Sequence, residues 1–181
     1  MTKTLTECYE MFKGECGDGD KGTFHSYIDI YEKYFSSIQH EKFNLLEIGI
    51  LNGKSIKMWC EFFTNANIFG VDVNEKTHLN LADNRTFIFH ANAARDTFIE
   101  YIADYMFRVI IDDGSHLLQD QIASFNILKG KIEPKGLYII EDVLPEHIEP
   151  IQARFGNCFN VLDLRHERTS PDNILMIYEN M

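Results

Sequence analysis

The sequence has no long apolar run. No stretch approaches the roughly 20 apolar residues that a membrane-spanning helix needs. The N-terminal segment MTKTLTECYEMFKGE also lacks an apolar core of signal-peptide length. We therefore expect neither a membrane partner nor a secretory leader.

The sequence also lacks paired cysteines. The four cysteines are Cys8, Cys16, Cys60 and Cys158, and none of them forms a CxxC pair. This spacing disfavours a zinc site, and a chain of 181 residues is longer than most disulfide-stabilised scaffolds. We expect reduced thiols and a cytoplasmic protein.

Basic residues are in the minority. Seventeen Lys and Arg residues stand against 28 Asp and Glu residues, which gives a net charge of -11. Proteins that bind nucleic acid usually carry a basic patch, so we expect no nucleic-acid partner. The acidic excess suits a metal site, because clustered carboxylates need a cation, and it suits simple solubility equally well.

The length and the absence of internal repeats predict one domain spanning residues 1–181. Residues 1–40 form a predicted helical lead-in, in which the segment 26–38 has its aromatic and aliphatic residues at helical spacing. That helix can pack on its own domain or on a second copy of the chain, so a homo-oligomer stays open.

After the lead-in, short apolar runs alternate with helical patterns. The predicted strands are 43–49, 67–73, 86–91, 107–113, 136–143, 158–165 and 173–179, and the predicted helices between them are 54–63, 75–82, 95–106, 117–132 and 145–155. This alternation predicts an α/β fold with a mostly parallel sheet and helices on both faces. The last two strands are too close together for a helix, so we expect the final strand to be reversed. A seven-stranded sheet of this kind is the Rossmann-like methyltransferase architecture.

A glycine-containing loop follows the first predicted strand. The segment LLEIGILNGKS places Glu47, Gly49, Gly53 and Ser55 in the spacing E-x-G-x-x-x-G-x-S, which differs from the G-x-G-x-x-G of NAD-binding proteins. A carboxylate here would repel a pyrophosphate but attract an amino group or a sulfonium. The loop therefore favours S-adenosylmethionine (SAM) over NAD, with an ordinary strand-to-helix turn as the alternative.

Polar residues also end the second and third predicted strands. Asp72 is placed to accept hydrogen bonds from ribose hydroxyls, and the alternative is a helix N-cap. Asn92 follows the third strand and is expected near the adenine, unless it belongs to a plain loop.

The segment VIIDDGSHLLQDQ ends the fourth predicted strand with Asp112, Asp113 and His116, and the fifth strand ends with Glu141 and Asp142. Carboxylates from Asp113, Glu141 and Asp142 can hold Mg²⁺, provided the fifth strand has already begun to turn. Asp112 is expected to face the cofactor, and His116 is a candidate general base. The alternatives are helix caps, solvated carboxylates and a packed imidazole ring.

Four segments in this order resemble a known family: GDKGTFHSYIDIYEKYF, LLEIGILNGKSIKMW, IIDDGSHLLQDQIASF and GLYIIEDV. They are similar to the metal-dependent class I sugar O-methyltransferases of antibiotic biosynthesis, which include the macrocin, mycinamicin and tetracenomycin-rhamnose enzymes. The resemblance implies Mg²⁺ at Asp113, Glu141 and Asp142, with His116 as the base. It also implies that the segment from Asp20 to Tyr27 lies near the cofactor.

The sequence departs from this family at two places. Lys135 and Gly136 stand where the family usually has two glycines, and VLPEHIEP replaces its aromatic segment after the E-D pair. We therefore expect a different acceptor pocket. The working hypothesis is a Mg²⁺-assisted, SAM-dependent methylation of a hydroxyl on a sugar, glycoside or related small polyol. A metal-dependent hydrolase on the same sheet and a non-catalytic SAM-binding protein remain the alternatives.

Overall fold

The structure is a computed structural model that describes residues 2–13, 20–75 and 83–181. Its helices are α1 (Leu5–Phe12), α2 (Ile28–Phe35), α3 (Lys54–Phe62), α4 (Phe98–Tyr101), α5 (Leu118–Leu128) and α6 (Pro145–Phe155). Its strands are β1 (Asn44–Ile48), β2 (Asn67–Asp72), β3 (Thr86–His90), β4 (Phe107–Asp112), β5 (Ile132–Ile140), β6 (Phe159–Asp163) and β7 (Ile174–Glu179). Short 3₁₀ helices occupy Asp20–Gly22, Ser36–Ile38 and Lys129–Lys131.

Most predicted elements are present, and one predicted helix is shorter than expected. The helix predicted over 95–106 is reduced to α4, because its backbone hydrogen bonds run from residue i to i−3, as in Phe98 N to Arg95 O and Ile102 N to Ile99 O. The helix predicted over 75–82 lies almost wholly outside the described residues, as does Cys16.

The seven strands form one sheet in the order β3-β2-β1-β4-β5-β7-β6. The pairs β1–β2, β1–β4, β2–β3 and β4–β5 are parallel, whereas β7 runs antiparallel to both β5 and β6. The predicted fold, including the reversed last strand, is therefore confirmed. Because β1, β4 and β5 are neighbours and parallel, the residues after their carboxyl ends meet at one edge of the sheet.

Alternate residues of the central strands enter two separate apolar clusters. In β4, Val109 and Ile111 pack with residues of α1, α2 and α3, whereas Ile110 packs with residues of α4, α5 and α6. This alternation follows from the two-residue period of a strand. Both faces of the sheet are therefore covered by helices.

The N-terminal helices belong to the first of these two clusters. A capping box formed by Thr4 and Glu7 begins α1. In α2, the ring of Tyr31 packs edge-on against Trp59 of α3, with 5.5 Å between the ring centroids. Residues 20–27, which precede α2, lie against the carboxyl ends of β4 and β5 through the contacts of Lys21 and Tyr27.

Among the described residues, none of the helices combines the length and the apolar character that crossing a bilayer requires.

Candidate active site

The loop after β1 contains two glycines with left-handed backbone. Gly49 has φ +79°, and a Cβ built on it would lie 2.0 Å from the backbone oxygen of Asp113. No side chain fits there, since real Cβ atoms do not approach backbone so closely. Gly53 has φ +74° and immediately precedes α3. The first glycine therefore allows the β1 loop to cross close to the end of β4.

Asp72 holds this loop in place. Its Oδ2 accepts hydrogen bonds from the backbone N–H groups of Ile50 (3.1 Å) and Leu51 (3.2 Å), and its Oδ1 accepts one from Asn74 N–H (2.8 Å). The carboxylate thus occupies loop amides that a phosphate-binding loop would offer to its ligand. The loop favours a ligand without phosphates, in agreement with the sequence argument. The contact of Asp72 with a ribose stays a prediction.

A cavity of about 450 Å³ opens between this loop and the strand ends. Its size falls in the range of small-molecule sites, which is about 300–1,000 Å³. The structure brings seven of the residues singled out from the sequence to its wall: Gly49, Ser55, Asp72, Asn92, Asp112, Asp113 and His116.

Five other residues singled out from the sequence do not line the cavity: Tyr27, Glu47, Gly53, Glu141 and Asp142. Glu47 is completely buried and accepts a hydrogen bond of 2.7 Å from Ser55 Oγ. Tyr27 is also completely buried, and its hydroxyl donates to Asp142 Oδ1 at 2.8 Å. Both side chains therefore support the cavity from behind rather than facing its interior.

Four carboxylates lie together behind and beside the cavity, and we call them the acid cluster: Glu47, Asp113, Glu141 and Asp142. Burial raises the pKa of Asp142 to about 6, and the neighbouring charge of Asp113 adds to the effect. Burial also raises the pKa of Glu47 and of Glu141. A raised carboxylate pKa means that the charged form is short of compensation, so this cluster favours a cation.

The ammonium group of Lys21 lies inside the acid cluster. Its Nζ is 2.7 Å from Asp113 Oδ2 and 2.7 Å from both carboxylate oxygens of Glu141. The hydroxyl of Tyr31 donates to Glu141 Oε1 at 2.5 Å. Both oxygens of Glu141 are therefore occupied by side chains of the N-terminal segment.

The other oxygens of Asp113 and Asp142 face His116. Asp113 Oδ1 lies 4.0 Å from His116 Nε2, and Asp142 Oδ2 lies 3.8 Å from His116 Nδ1. These three residues each offer a ligand atom within 4.8 Å of the others, and we call the two carboxylates, Asp113 and Asp142, the cation site. Their oxygens fit a small divalent cation.

The backbone also turns at the end of β5, as the predicted metal site requires. β5 ends at Ile140, and Asp142 has φ +52°, so the backbone has turned before its carboxylate. Asp142 therefore reaches Asp113 and His116, whereas Glu141 is directed to Lys21. The structure thus directs two of the three predicted metal ligands, Asp113 and Asp142, to His116 and the third, Glu141, to Lys21.

His116 lies on the cavity wall. Its backbone has φ +56°, and 39% of its side chain is exposed. Among the described residues, Nδ1 is enclosed and has no hydrogen-bond partner. The exposed part of the side chain, rather than Nδ1, is therefore within reach of a ligand in the cavity.

Sequence reasoning missed Lys21 as a site residue. It lies in a short 3₁₀ helix between α1 and α2, where no periodic pattern reports burial, yet its side chain is only 5% exposed. The signal that could have identified it is a lysine inside the family-like segment from Asp20 to Tyr27.

No protein-family model matches the chain. Demethylmacrocin O-methyltransferase of Streptomyces fradiae is 33% identical over 130 residues, which cover 67% of this chain and 33% of that protein. Mycinamicin VI 2''-O-methyltransferase of Micromonospora griseorubida is 33% identical over 131 residues, which cover 67% of this chain and 32% of that protein.

A solved structure agrees with these sequence relatives. The methyltransferase MycE of the mycinamycin pathway, in complex with Mg and S-adenosylhomocysteine (SAH), superposes with a TM-score of 0.68 and 27% identity. The match covers 78% of this chain and 38% of MycE. The chain thus spans about one third of the length of the curated relatives it matches. Over that span, the resemblance drawn from the four motifs is confirmed, and the chain is related in sequence and in fold to the sugar O-methyltransferases.

Proposed function

We propose that this protein transfers a methyl group from SAM to a hydroxyl of a sugar, a glycoside or a related small polyol, with the help of Mg²⁺. The observation that carries the proposal is the position of His116. Its ring lies on the cavity wall, within 4.0 Å of carboxylate oxygens from the ends of both β4 and β5. A candidate base on the cavity wall therefore lies beside the proposed cation site.

The shape and charge of the cavity support SAM as the methyl donor. The β1 loop approaches the ligand space without a side chain at Gly49, while Asp72 fills the loop amides that a pyrophosphate would use. Asp72 and Asp112 give this part of the wall an acidic character that suits a sulfonium cation. Asn92 lies at the end of the cavity formed by β3, where we place the adenine.

Asp113 and Asp142 would hold Mg²⁺, and Glu141 would join them if Lys21 releases it. Bound Mg²⁺ supplies a positive charge that orients neighbouring acceptor oxygens and lowers the pKa of a hydroxyl. A ring nitrogen of His116 accepts the proton of the acceptor hydroxyl. The acceptor oxygen then forms a bond to the methyl carbon as the bond from that carbon to sulfur breaks, which leaves SAH and a methyl ether.

Positioning accounts for most of the expected rate enhancement. Holding the two reactants in line can lower the barrier by about 7–11 kcal/mol. A positioned general base typically adds a factor of about 10²–10⁴. The rigid strand ends beneath Asp113 and Asp142 are suited to such positioning because they are anchored in the centre of the sheet.

The composition of the chain bears on both the acceptor class and the cellular compartment. The net charge of -11 argues against nucleic acid as the acceptor. Cys8, Cys60 and Cys158 are free thiols, which supports a reducing compartment, the cytoplasm. A small sugar or glycoside therefore remains the acceptor class that we propose.

A turnover assay tests the proposal. The full chain is incubated with SAM, Mg²⁺ and a panel of deoxysugar glycosides, and the formation of SAH and of methylated product is measured by mass spectrometry. We expect turnover that EDTA abolishes. His116→Ala should lower turnover by about 10²–10⁴ and leave SAH affinity, measured by calorimetry, unchanged.

His166→Ala is the matched control, because this histidine is 73% exposed and does not line the cavity. It should behave as the wild type. Tight SAH binding without turnover on any acceptor would instead indicate a non-catalytic SAM-binding protein. Turnover that His116→Ala leaves intact would remove His116 from the mechanism.

A further inference from the structure

The ammonium group of Lys21 is buried among charged groups rather than among apolar ones. Its Nζ lies 2.7 Å from oxygens of Asp113 and Glu141 and 3.4 Å from Glu47 Oε1. The side chain is 5% exposed. An ammonium group in such a place must be held by its charge partners, because burial of an unpaired charge is costly.

The ammonium group remains charged in this environment. Carboxylate oxygens of Asp113, Glu141 and Glu47 lie within 3.4 Å of its Nζ, and such negative partners favour the charged form of an amine. Three carboxylates thus share one positive charge. Lys21 is consequently the cation that compensates the acid cluster when no divalent ion is present.

The contacts divide the carboxylate oxygens into two groups. Lys21 takes both oxygens of Glu141 and one oxygen of Asp113, while the remaining oxygen of Asp113 faces His116. A divalent cation that recruits Glu141 must therefore displace Lys21, and a cation that binds Asp113 alone must tolerate the ammonium group on the same carboxylate. Either arrangement weakens the binding of the cation.

We propose that Lys21 is a built-in counter-ion that competes with the divalent cation for Asp113 and Glu141. Its positive charge stabilises the clustered carboxylates in the absence of the metal. The same charge lowers the affinity of the cation site for the divalent cation. The inference rests on the proposed cation site and goes beyond methyl transfer, because it assigns to Lys21 the control of cation occupancy. Lys21 is thus a positioning residue that acts through two carboxylates.

The competing explanation is structural. Lys21 also ties the 3₁₀ helix Asp20–Gly22 to the strand ends, beside the hydrogen bonds from Tyr27 to Asp142 and from Tyr31 to Glu141. If Lys21 is only a structural tie, replacing it should lower the stability of the protein equally with and without Mg²⁺. If Lys21 competes with the cation, added Mg²⁺ should restore the stability that the replacement removes.

The test measures Mg²⁺ affinity by calorimetry and the melting temperature with and without saturating Mg²⁺, on the full chain. Lys21→Met removes the charge and keeps most of the volume. We expect at least about a tenfold gain in Mg²⁺ affinity, since two like charges no longer share the carboxylates. We also expect a lower melting temperature without Mg²⁺ and a larger rise when Mg²⁺ is added.

Two further variants serve as controls. Lys3→Met removes an equal charge from a surface ion pair with Glu61 and should leave Mg²⁺ affinity unchanged. Lys21→Arg keeps the charge and should retain an affinity close to that of the wild type. Should Lys21→Met fold only in the presence of Mg²⁺, that result also supports the proposal.

Three results would overturn it. In the first, Lys21→Met binds Mg²⁺ no more tightly than the wild type. In the second, it stays unfolded whether or not Mg²⁺ is present. In the third, the wild type and Lys21→Met both fail to bind Mg²⁺. SAH binding and methyl transfer by the wild type are measured separately, so a failure of the Lys21 proposal is distinguished from a failure of the proposed methyltransferase function.

Discussion

The surroundings of the Asp112 carboxylate disfavour its ionised form. Asp112 is 4% exposed at the end of β4, and its Oδ2 accepts a hydrogen bond of 2.9 Å from the hydroxyl of Tyr138. Burial raises its pKa from 3.8 to about 7, although the hydrogen bond from Tyr138 opposes the shift. As the pH falls, Asp112 therefore gains a proton near neutral pH.

This shift predicts a pH dependence of stability. Between pH values of about 4 and 7, the folded protein keeps a proton on Asp112 that the unfolded chain has lost, so the free energy of unfolding contributed by this group falls as pH rises. The slope approaches about 1.4 kcal/mol per pH unit. Relative to Asp112→Asn, the wild type should become steadily less stable across this window, measured by urea unfolding in EDTA.

Asp163→Asn provides the matched control. Asp163 is exposed, and its hydrogen bonds with Arg165 lower its pKa to about 2, so it is ionised in both states across the same window. Its curve should run parallel to that of the wild type. If the curve of Asp112→Asn is parallel as well, then Asp112 does not titrate as described.

At the scale of elements, the site depends on backbone turns directly after the strands. Gly49, His116 and Asp142 all have positive φ values, and they follow β1, β4 and β5. Lys135 within β5 also has a positive φ, +62°, at one of the two positions where the resembling family usually has glycines. The backbone conformation thus gives a physical reason for glycine there, since non-glycine residues cost about 1–2 kcal/mol in this region.

Gly49→Ala should be strongly destabilising. The added Cβ would meet the backbone oxygen of Asp113 at 2.0 Å, at a φ that alanine disfavours. We expect a loss of at least about 2 kcal/mol in the free energy of unfolding, measured by denaturant titration, together with a loss of SAH binding because the loop and the end of β4 must separate.

Gly130→Ala is the control at the other end of the sheet. A Cβ at Gly130 meets nothing within 4 Å, so its effect should stay within about 1 kcal/mol. Equal effects of the two substitutions would show that the close crossing at Gly49 is not what requires glycine.

At the scale of the whole molecule, two apolar clusters enclose the central strands, and the polar groups gather where those strands end. A ligand in the cavity contacts the loops after β1, β2, β3 and β4 at once. Its binding should therefore raise the stability of the whole folded chain. Anything that binds only the folded state stabilises it by mass action.

SAH should therefore raise the melting temperature. At a concentration of about 100 times the dissociation constant, the gain is about 2.7 kcal/mol, which corresponds to about 5–10 °C for a chain of this size. Differential scanning fluorimetry measures the shift, with NAD as the matched control. A shift with NAD and none with SAH would contradict the assignment of the cavity.

Much of the fold could be predicted because its determinants are local. The strands of the central sheet are short apolar runs, and α6 begins at Pro145 as the sequence indicates, since proline suits the first turn of a helix. The helix predicted over 95–106 is wrong in its extent, because a helical pattern does not show that much of this backbone forms hydrogen bonds from residue i to i−3. The placement of Asp112, Asp113 and His116 at the cavity followed from parallel strands ending at one edge.

The sequence by itself determined the order of the strands along the chain, the apolar runs of the central strands and the acidic residues that end them, since each of these depends on neighbours in the chain. Only the tertiary structure decided which of those carboxylates contact Lys21 and which face His116. Lys21 is 92 residues from Asp113 and 120 from Glu141 along the chain, so no local pattern pairs them. The folded chain brings the ammonium group of Lys21 to Glu141 and leaves Asp113 and Asp142 facing His116. Electrostatic pairing across such separations is set by the folded geometry, and that geometry decides which carboxylates remain for a cation.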